Sequence, residues 1–221
     1  MILPNWCTAN LIIQWRLNPE MNTKLLLPVL AVAASLITAC SGVMDSAQPA
    51  RQYYMLQPLS GLSVADSVGE SPSLSMHLGA VPGLDSDWIQ ALGSNAQLTR
   101  YANARWPDSL PEVLGSVIQR SLASTGRFAS VDLASHASGG AWFLQLEVQK
   151  FYGRQDAAGK TTSVSVGLSG SVECGERRQS FTAEKSVPVG AERLSTVVAA
   201  HQQGLDDVTR QLLNKITETC Q

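Results

Sequence analysis

Apolar residues recur at helical spacing in two segments of the chain. In the first, from Asp108 to Gly126, they follow intervals of three and four residues, with Pro111 in the first turn and Gly126 at the stop. In the second, from Val189 to Cys220, the apolar stripe passes through His201. The pattern predicts two amphipathic helices. We interpret His201 as a buried, hydrogen-bonded histidine rather than a metal ligand, because no second ligand lies at metal-site spacing.

Elsewhere, apolar and polar residues alternate with the period of two that half-buried strands show. The alternation predicts strands at residues 53–56, 73–80, 97–106, 142–149, 163–172 and 179–189, and an edge segment at 87–89. Short turns join the last three strands, which predicts an antiparallel meander. Along 163–172 one face holds only serine and glycine, and this face is either a plain solvent surface or a flat face that packs against another subunit. We interpret residues 128–131 as a connecting segment that precedes a polar turn.

The order of these elements predicts an α+β fold. We expect a mostly antiparallel sheet, made of the meander of about three C-terminal strands plus the N-terminal strands, covered by two amphipathic helices. The expected domain extends over residues 52–221, a length that suits one domain with a sizeable core.

A different pattern occupies the N-terminal region. An apolar run from Leu25 to Ile37 follows Lys24 and ends in the sequence ITAC at residues 37–40. The run is shorter than the roughly 20 residues that span a bilayer, and its charge, length and small C-terminal residues are those of a secretory signal. The last four residues resemble a bacterial lipobox, in which Cys40 receives a lipid and becomes the new N-terminus. The alternative is an ordinary cleaved signal that contains a cysteine.

Residues 1–20 do not fit a signal, and Met21 followed by Asn-Thr-Lys is a better start. We therefore interpret residues 1–20 as a mis-assigned extension. The signal peptide is then 21–39, and a lipidated linker rich in small polar residues occupies 40–51 before the single domain.

Charge and motifs narrow the function classes. The formal net charge is −2, without the clustered positive charge that nucleic-acid-binding proteins show, so we expect no nucleic-acid partner. No second apolar run is long enough to cross a membrane, so the expected anchor is lipid alone. The sequence lacks the motifs of a nucleophile elbow, a zinc protease helix, a phosphate-binding loop and a dinucleotide fold. We expect a protein that is not an enzyme, with no metal and no cofactor other than the covalent lipid on Cys40.

Two cysteines remain after Cys40. Cys174 lies late in a predicted strand and Cys220 ends the second predicted helix. In an oxidising periplasm the two can pair, and the disulfide would attach the last helix to the sheet. The alternative is two unpaired buried thiols.

Four short motifs occur in an order that is typical of one family. They are Tyr53-Tyr54-x-Leu56, Val81-Pro82-x-Leu84-Asp85, Arg100-Tyr101-Ala102-x-Ala104-Arg105-Trp106, and Gly126-Arg127-Phe128 at the end of the first predicted helix. Together with the lipobox, they resemble the ABC-type transport auxiliary lipoproteins, which accompany MCE-domain (mammalian cell entry) transport systems. The resemblance covers residues 51 to 221 and is strongest between residues 81 and 131.

The resemblance implies a compact α+β domain at the periplasmic face of the outer membrane, with a role in moving lipids between the two membranes. The implied partners are a periplasm-spanning MCE-domain protein, its inner-membrane ABC permease and, in a homo-oligomeric ring, further copies of the chain. Ser41 after the lipidated cysteine is compatible with sorting to the outer membrane. Two alternatives remain: an assembly lipoprotein of another outer-membrane machine, such as a lipopolysaccharide translocon, and a tethered periplasmic hydrolase.

The first candidates for a partner surface are Tyr101, Arg105 and Trp106, because arginine and aromatic residues are enriched in interfaces. Trp106 has an alternative role, since a tryptophan just before a helix can fill the edge of a core.

Overall fold

The computed structural model describes residues 50–61, 71–136, 141–191 and 193–220. The predicted extension, the signal peptide, Cys40 and the linker up to residue 49 lie outside the described residues, so those predictions stay as they are.

In the described part, eight strands and two helices form. In chain order they are β1 (Gln52–Tyr53), β2 (Ser73–Ala80), β3 (Trp88–Leu92), β4 (Leu98–Arg105), α1 (Leu110–Ala123), β5 (Ser130–Leu133), β6 (Trp142–Gln155), β7 (Thr161–Cys174), β8 (Arg177–Pro188) and α2 (Leu194–Cys220).

Strand β6 is the centre of the sheet. On one edge it pairs antiparallel with β7 along nearly its whole length, and β7 pairs with β8 in the same way. On its other edge it pairs with two strands in succession, because β2 runs parallel to its first half and β3 runs parallel to its end. Strand β5 then pairs with β2, and β4 with β3, while β1 pairs with the end of β4.

This topology confirms the α+β class and the C-terminal meander, but the sheet is mixed rather than mostly antiparallel. The pairs β1–β4, β2–β5, β2–β6 and β3–β6 are parallel. Parallel neighbours need a long crossover connection, usually through a helix. Helix α1 lies between β2 and β6 in the chain and forms part of that crossover, which local periodicity cannot reveal.

A bulge in β6 explains why the sequence predicts too short a strand there. The register with β7 skips Gln149, between Val148 and Lys150. An extra residue in one strand reverses which side chains face the core. Before the bulge the buried side chains include Leu144 and Val148, and after it Phe151 is buried. The period of two is therefore interrupted at the residue where the sequence pattern ends.

Both helices lie on the same face of the sheet and share one core with it. Helix α1 packs against β2 and β5, and α2 packs against β7 and β8. Helix α1 begins after Ser109 with Pro111 in its first turn, and Gly126 beyond its end has the left-handed φ of 67° that its sequence position predicts. In α2, Gly204 allows close approach to β7, since a Cβ there would lie 2.7 Å from Cγ2 of Val166.

Three of the predicted strand assignments are corrected. The first strand covers only Gln52–Tyr53 rather than 53–56. The segment predicted as an edge at 87–89 becomes β3, which is interior because β4 and β6 pair with its two sides. Residues 128–131 do not simply lead into a turn, because Ser130–Leu133 forms β5 beside β2. This strand has only four residues, too few to establish a visible alternation.

An aromatic cluster joins distant parts of the chain inside the core. The ring of Trp106 lies 5.7 Å from those of both Phe151 and His201, and the last two are 4.8 Å apart. The cluster therefore connects the start of α1, the central strand and α2. Nδ1 of His201 must be the donor to the carbonyl oxygen of Val197, 2.9 Å away, because a carbonyl only accepts. Its Nε2 has no hydrogen-bond partner in the described structure, and burial lowers the pKa of His201 from 6.5 to about 4.

We expect replacement of Gly170 by alanine to destabilise the fold, because a Cβ there would overlap the backbone oxygen of Gln145 in β6. Overpacking of this kind typically costs about 1–3 kcal/mol. Gly79→Ala is the matched control, since Gly79 also lies in a strand and has open space around its Cα. Urea unfolding of both variants measures the difference, and equal stabilities would contradict the packing of β7 on β6.

Because His201 is buried and its pKa is lowered, we expect the fold to lose stability in mild acid. The unfolded chain binds a proton at this histidine below about pH 6.5, whereas the folded protein binds it only near pH 4. The free energy of unfolding is therefore unaffected by this group above pH 6.5 and falls as the pH drops towards 4, by about 2 kcal/mol at pH 5. Urea unfolding at pH 7.5 and pH 5 measures the loss. His201→Leu removes this part of it, and the exposed His77→Gln serves as control; an unchanged pH dependence in His201→Leu would rule out the assignment.

Candidate docking surface

Strands β3 and β4 form an antiparallel hairpin, here called the arm, that comprises residues 88–105. Most of β4 is open to solvent: Leu98, Thr99, Arg100 and Ala102 are exposed, and Tyr101 is half-buried. Two of the three residues predicted as partner surface, Tyr101 and Arg105, lie in the arm, and the third, Trp106, follows it directly. It is therefore the first place to test that prediction.

The indole of Trp88 forms the centre of the arm's charged surface. The guanidinium carbon of Arg105 lies 3.0 Å from the centroid of the ring, and that of Arg100 lies 3.9 Å from it. Nη1 of Arg105 also donates to the carboxylate of Asp87 at 2.6 Å. Cations over an indole are held by its quadrupole, with energies of about 0.5–2 kcal/mol that increase as water is excluded. The side chain of Arg105 is only 13% exposed, so it fixes the arm more than it offers contacts.

A bulge in β4 brings these groups together. The register goes from Gln90–Arg100 to Trp88–Arg105, so that β4 advances five residues while β3 advances two. Asn103 within this bulge has a φ of 57°, a left-handed conformation that asparagine tolerates better than most residues. Without the extra residues, Arg105 would not lie opposite Trp88.

Tyr101 points back to the sheet and away from solvent. Its hydroxyl lies 2.6 Å from Oγ1 of Thr161 on β7, and burial raises the pKa of the phenol, partly opposed by that hydrogen bond. A Cβ on Gly153 would lie 2.6 Å from the same hydroxyl. The tyrosine therefore attaches the arm to the β6–β7 hairpin and offers only part of its ring to a partner.

Trp106 does not belong to the surface, and that part of the prediction is corrected. It is 1% exposed, within the aromatic cluster, and its backbone N–H donates to the carbonyl of Asp87 at 2.7 Å. Its other predicted role, filling the edge of the core just before the first helix, agrees with this burial. The aromatic residue at the arm's surface is Trp88, which sequence reasoning missed because the bulge, rather than any local pattern, places it between two arginines.

The face of the sheet opposite the helices carries the serine-rich residues of β7. A shallow depression of about 330 Å³ lies there, lined by His77, Glu147, Ser169 and Ser171 among others. Two of its polar groups accept hydrogen bonds from the neighbouring Gln149, which donates to Glu147 at 2.6 Å and to Ser169 at 2.8 Å. Among the described residues, no group of acidic, histidine and cysteine side chains has the arrangement of a metal site. Neither described helix packs on this face.

Cys174 and Cys220 lie side by side, with Cα atoms 5.6 Å apart, a separation typical of disulfides. Neighbouring contacts join the same two regions: Arg177 donates to the carbonyl of Cys220 at 3.1 Å, and Thr219 donates to Gln179 at 2.7 Å. Formation of the covalent bond stays a prediction. In the described part of the chain, no helix is long and apolar enough to span a membrane.

Comparison with known proteins identifies relatives of this fold. A family model described as the ABC-type transport auxiliary lipoprotein component matches residues 63–212. A crystal structure of a Xanthomonas campestris protein of the DUF330 family is 21% identical, with a TM-score of 0.58, covering 75% of this chain and 94% of that one. Another, of an uncharacterized protein, is 15% identical with a TM-score of 0.60, covering 76% and 99%. No curated protein matches the chain.

We expect Cys220→Ser to lower the free energy of unfolding by about 2–4 kcal/mol under oxidising conditions, because a bond between residues 46 apart restricts the unfolded chain. Urea unfolding with and without reductant measures the effect. Reductant should destabilise the wild type to the level of the variant and leave the variant itself unchanged. A wild type that is insensitive to reductant, with two free thiols by alkylation, would show that the cysteines do not pair.

Proposed function

The chain belongs to the family of ABC-type transport auxiliary lipoprotein components, and from this premise we propose that it is a lipid-anchored docking component of an intermembrane lipid transport system. Its work is binding and tethering, without catalysis. The observation that supports this most directly is the family match over residues 63–212, which is joined in the same chain to a lipobox at residues 37–40.

The proposed anchor is the lipid on Cys40. Acyl chains contribute about 0.8 kcal/mol for each buried methylene, so several chains on one cysteine hold firmly. From Cys40 to Gln52 the linker is rich in small polar residues, and a linker of this length reaches at most about 40 Å when extended. The domain would thus stay close to the periplasmic face of the outer membrane while remaining free to turn towards a partner.

The proposed partners are an MCE-domain protein that crosses the periplasm and, through it, the ABC permease of the inner membrane. The family's description supports association with an ABC-type transport system. The arm is the surface we propose for this contact, because the exposed Arg100 lies over the partly buried Trp88, and arginine and tryptophan are both enriched at interface centres. A homo-oligomeric ring is part of the proposal, and the serine-rich face, on which neither described helix packs, offers a flat surface for packing of neighbouring copies.

The test is a crosslinked pull-down of tagged protein from cell envelopes, compared with membrane fractionation. We expect Cys40→Ala to leave the membrane fraction and to lose the MCE-domain protein that the wild type captures, because lipidation needs the thiol. Ser46→Ala, in the same linker, is the matched control and should behave as wild type.

Two results would overturn the proposal. Capture of an outer-membrane β-barrel in place of an MCE-domain protein would favour the assembly-lipoprotein alternative. Retention of Cys40→Ala in the membrane fraction with an unmodified N-terminus would remove the lipid anchor from the mechanism.

A further inference from the structure

We propose that the outer edge of β4 between Leu98 and Ala102 binds an extended, acidic segment of a partner protein as an added strand. This inference rests on the proposed docking role and specifies how the arm would recognise its partner. It requires an open edge, outward-pointing backbone groups and a charge that selects the occupant.

The edge is open in the described structure. Strand β4 pairs with β3 on its inner side, and on its outer side β1 pairs only with Ala104 and Arg105. No described strand pairs with the outer side of the residues before the bulge. Unpaired strand edges accept extended peptides through backbone hydrogen bonds.

The hairpin turn shows which backbone groups point outward. The N–H of Gly93 donates to the carbonyl of Gln97 at 2.9 Å, so these residues form a hydrogen-bonded pair. Bonded and non-bonded pairs alternate in an antiparallel ladder, which makes Ala91–Thr99 the next bonded pair. Leu98 and Arg100 therefore lie in non-bonded pairs and direct their N–H and C=O groups to the open edge.

The other two outer strands of the sheet are protected in ways that β4 is not. Strand β5 has only four residues. Strand β8 carries several charged side chains along its edge, and Gln211 of α2 donates to the backbone carbonyl of Glu184 at 3.3 Å. Short strands, edge charges and covering groups are the usual protection against strand addition. Between residues 98 and 102, β4 has no proline and no lysine, and its single charge, on Arg100, lies over Trp88.

Charge selects the occupant. The arm contains Arg100 and Arg105 and no acidic residue, and Asp87 compensates only Arg105. In the described structure Arg100 has no carboxylate partner, and the exposed Arg51 precedes β1 at the same edge. Residues directly opposite in neighbouring strands contact one another. A partner strand would therefore place an apolar residue opposite Leu98, which is 38% exposed, and a carboxylate two positions away, opposite Arg100.

This spacing defines a probe. We would label the capped peptide Ser-Glu-Thr-Val-Thr-Glu-Ser, whose sequence reads the same in both directions, so that parallel and antiparallel addition are both allowed. Fluorescence anisotropy with the purified protein at low salt should show saturable binding. The same peptide with lysine in place of both glutamates should bind at least about tenfold more weakly.

Two variants separate the edge from the charge. Leu98→Pro removes one outward N–H without removing a bond to β3, and should weaken binding about tenfold, whereas the matched Leu98→Ala keeps that N–H and retains binding better. Arg100→Glu should reverse the preference in favour of the lysine peptide. Thermal unfolding of each variant establishes that the fold is intact.

Hydrogen exchange gives a readout that a purely structural effect would not produce. On peptide binding, the outward amides of Leu98 and Arg100 should become protected, while that of Thr99, already bonded to β3, should not change. Equal binding by folded Leu98→Pro and Leu98→Ala, absence of binding by the glutamate peptide, or protection confined to other strands would overturn the proposal. If Leu98→Pro changes the oligomeric state and leaves peptide binding unchanged, the edge binds a second copy of the chain, and this result would also overturn the proposal.

The two proposals fail separately. Peptide binding that fails while the envelope pull-down succeeds overturns strand addition and leaves docking at another surface. A pull-down that fails while the edge binds its peptide as expected overturns the transport partner and keeps the recognition mode.

Discussion

The fold depends on the double pairing of β6. Each strand has two hydrogen-bonding edges, and β6 uses one for β7 and divides the other between β2 and β3. The division coincides with the end of the β2 ladder at Val148 and the bulge at Gln149. Because α1 covers β2 and α2 covers β7, this single strand holds together the two helix-covered halves of the core. The aromatic cluster of Trp106, Phe151 and His201 then fixes the start of α1 to the same strand and to α2.

The arm is a consequence of that division. Strand β3 pairs with β6 only at Ala91 and Leu92, next to the hairpin turn. Strand β4 pairs with the other side of β3, away from β6, so its outer edge between Leu98 and Ala102 stays open. Three contacts hold it in place: Tyr101 with Thr161, Arg105 with Asp87, and both arginines over Trp88. An edge held rigid in this way loses little conformational freedom when a partner binds.

Local periodicity is sufficient to predict the two helices and the C-terminal meander, because their buried residues recur with a period of 3.6 or of two. It could not reveal the parallel pairings of β2 and β3 with β6, because these join segments separated by the whole of α1. It also cannot locate a bulge, which is why Trp88 is absent from the predicted surface. Trp106 is included there on residue type alone, and its burial follows from its position just before α1. The proposed anchor at Cys40 rests on a peptidase motif in the sequence, and Cys40 lies outside the residues that the structure describes.

The proposed lipid anchor would compensate for the weak binding expected of the open edge of β4, and the edge would supply the selectivity that a lipid anchor does not have. Leu98 and Arg100 present about four backbone groups to a partner, and hydrogen bonds contribute only about 0.5–1.5 kcal/mol each after water is displaced. An isolated contact of this kind is weak. The proposed tether on Cys40 would convert it into an encounter at high effective concentration, of the order of millimolar for short flexible linkers. Weak strand addition on a firmly anchored domain allows release and rebinding, and its dependence on an exposed arginine makes it sensitive to salt. If both proposals hold, the combination would give a docking contact that is reversible, membrane-restricted and selective for acidic extended segments.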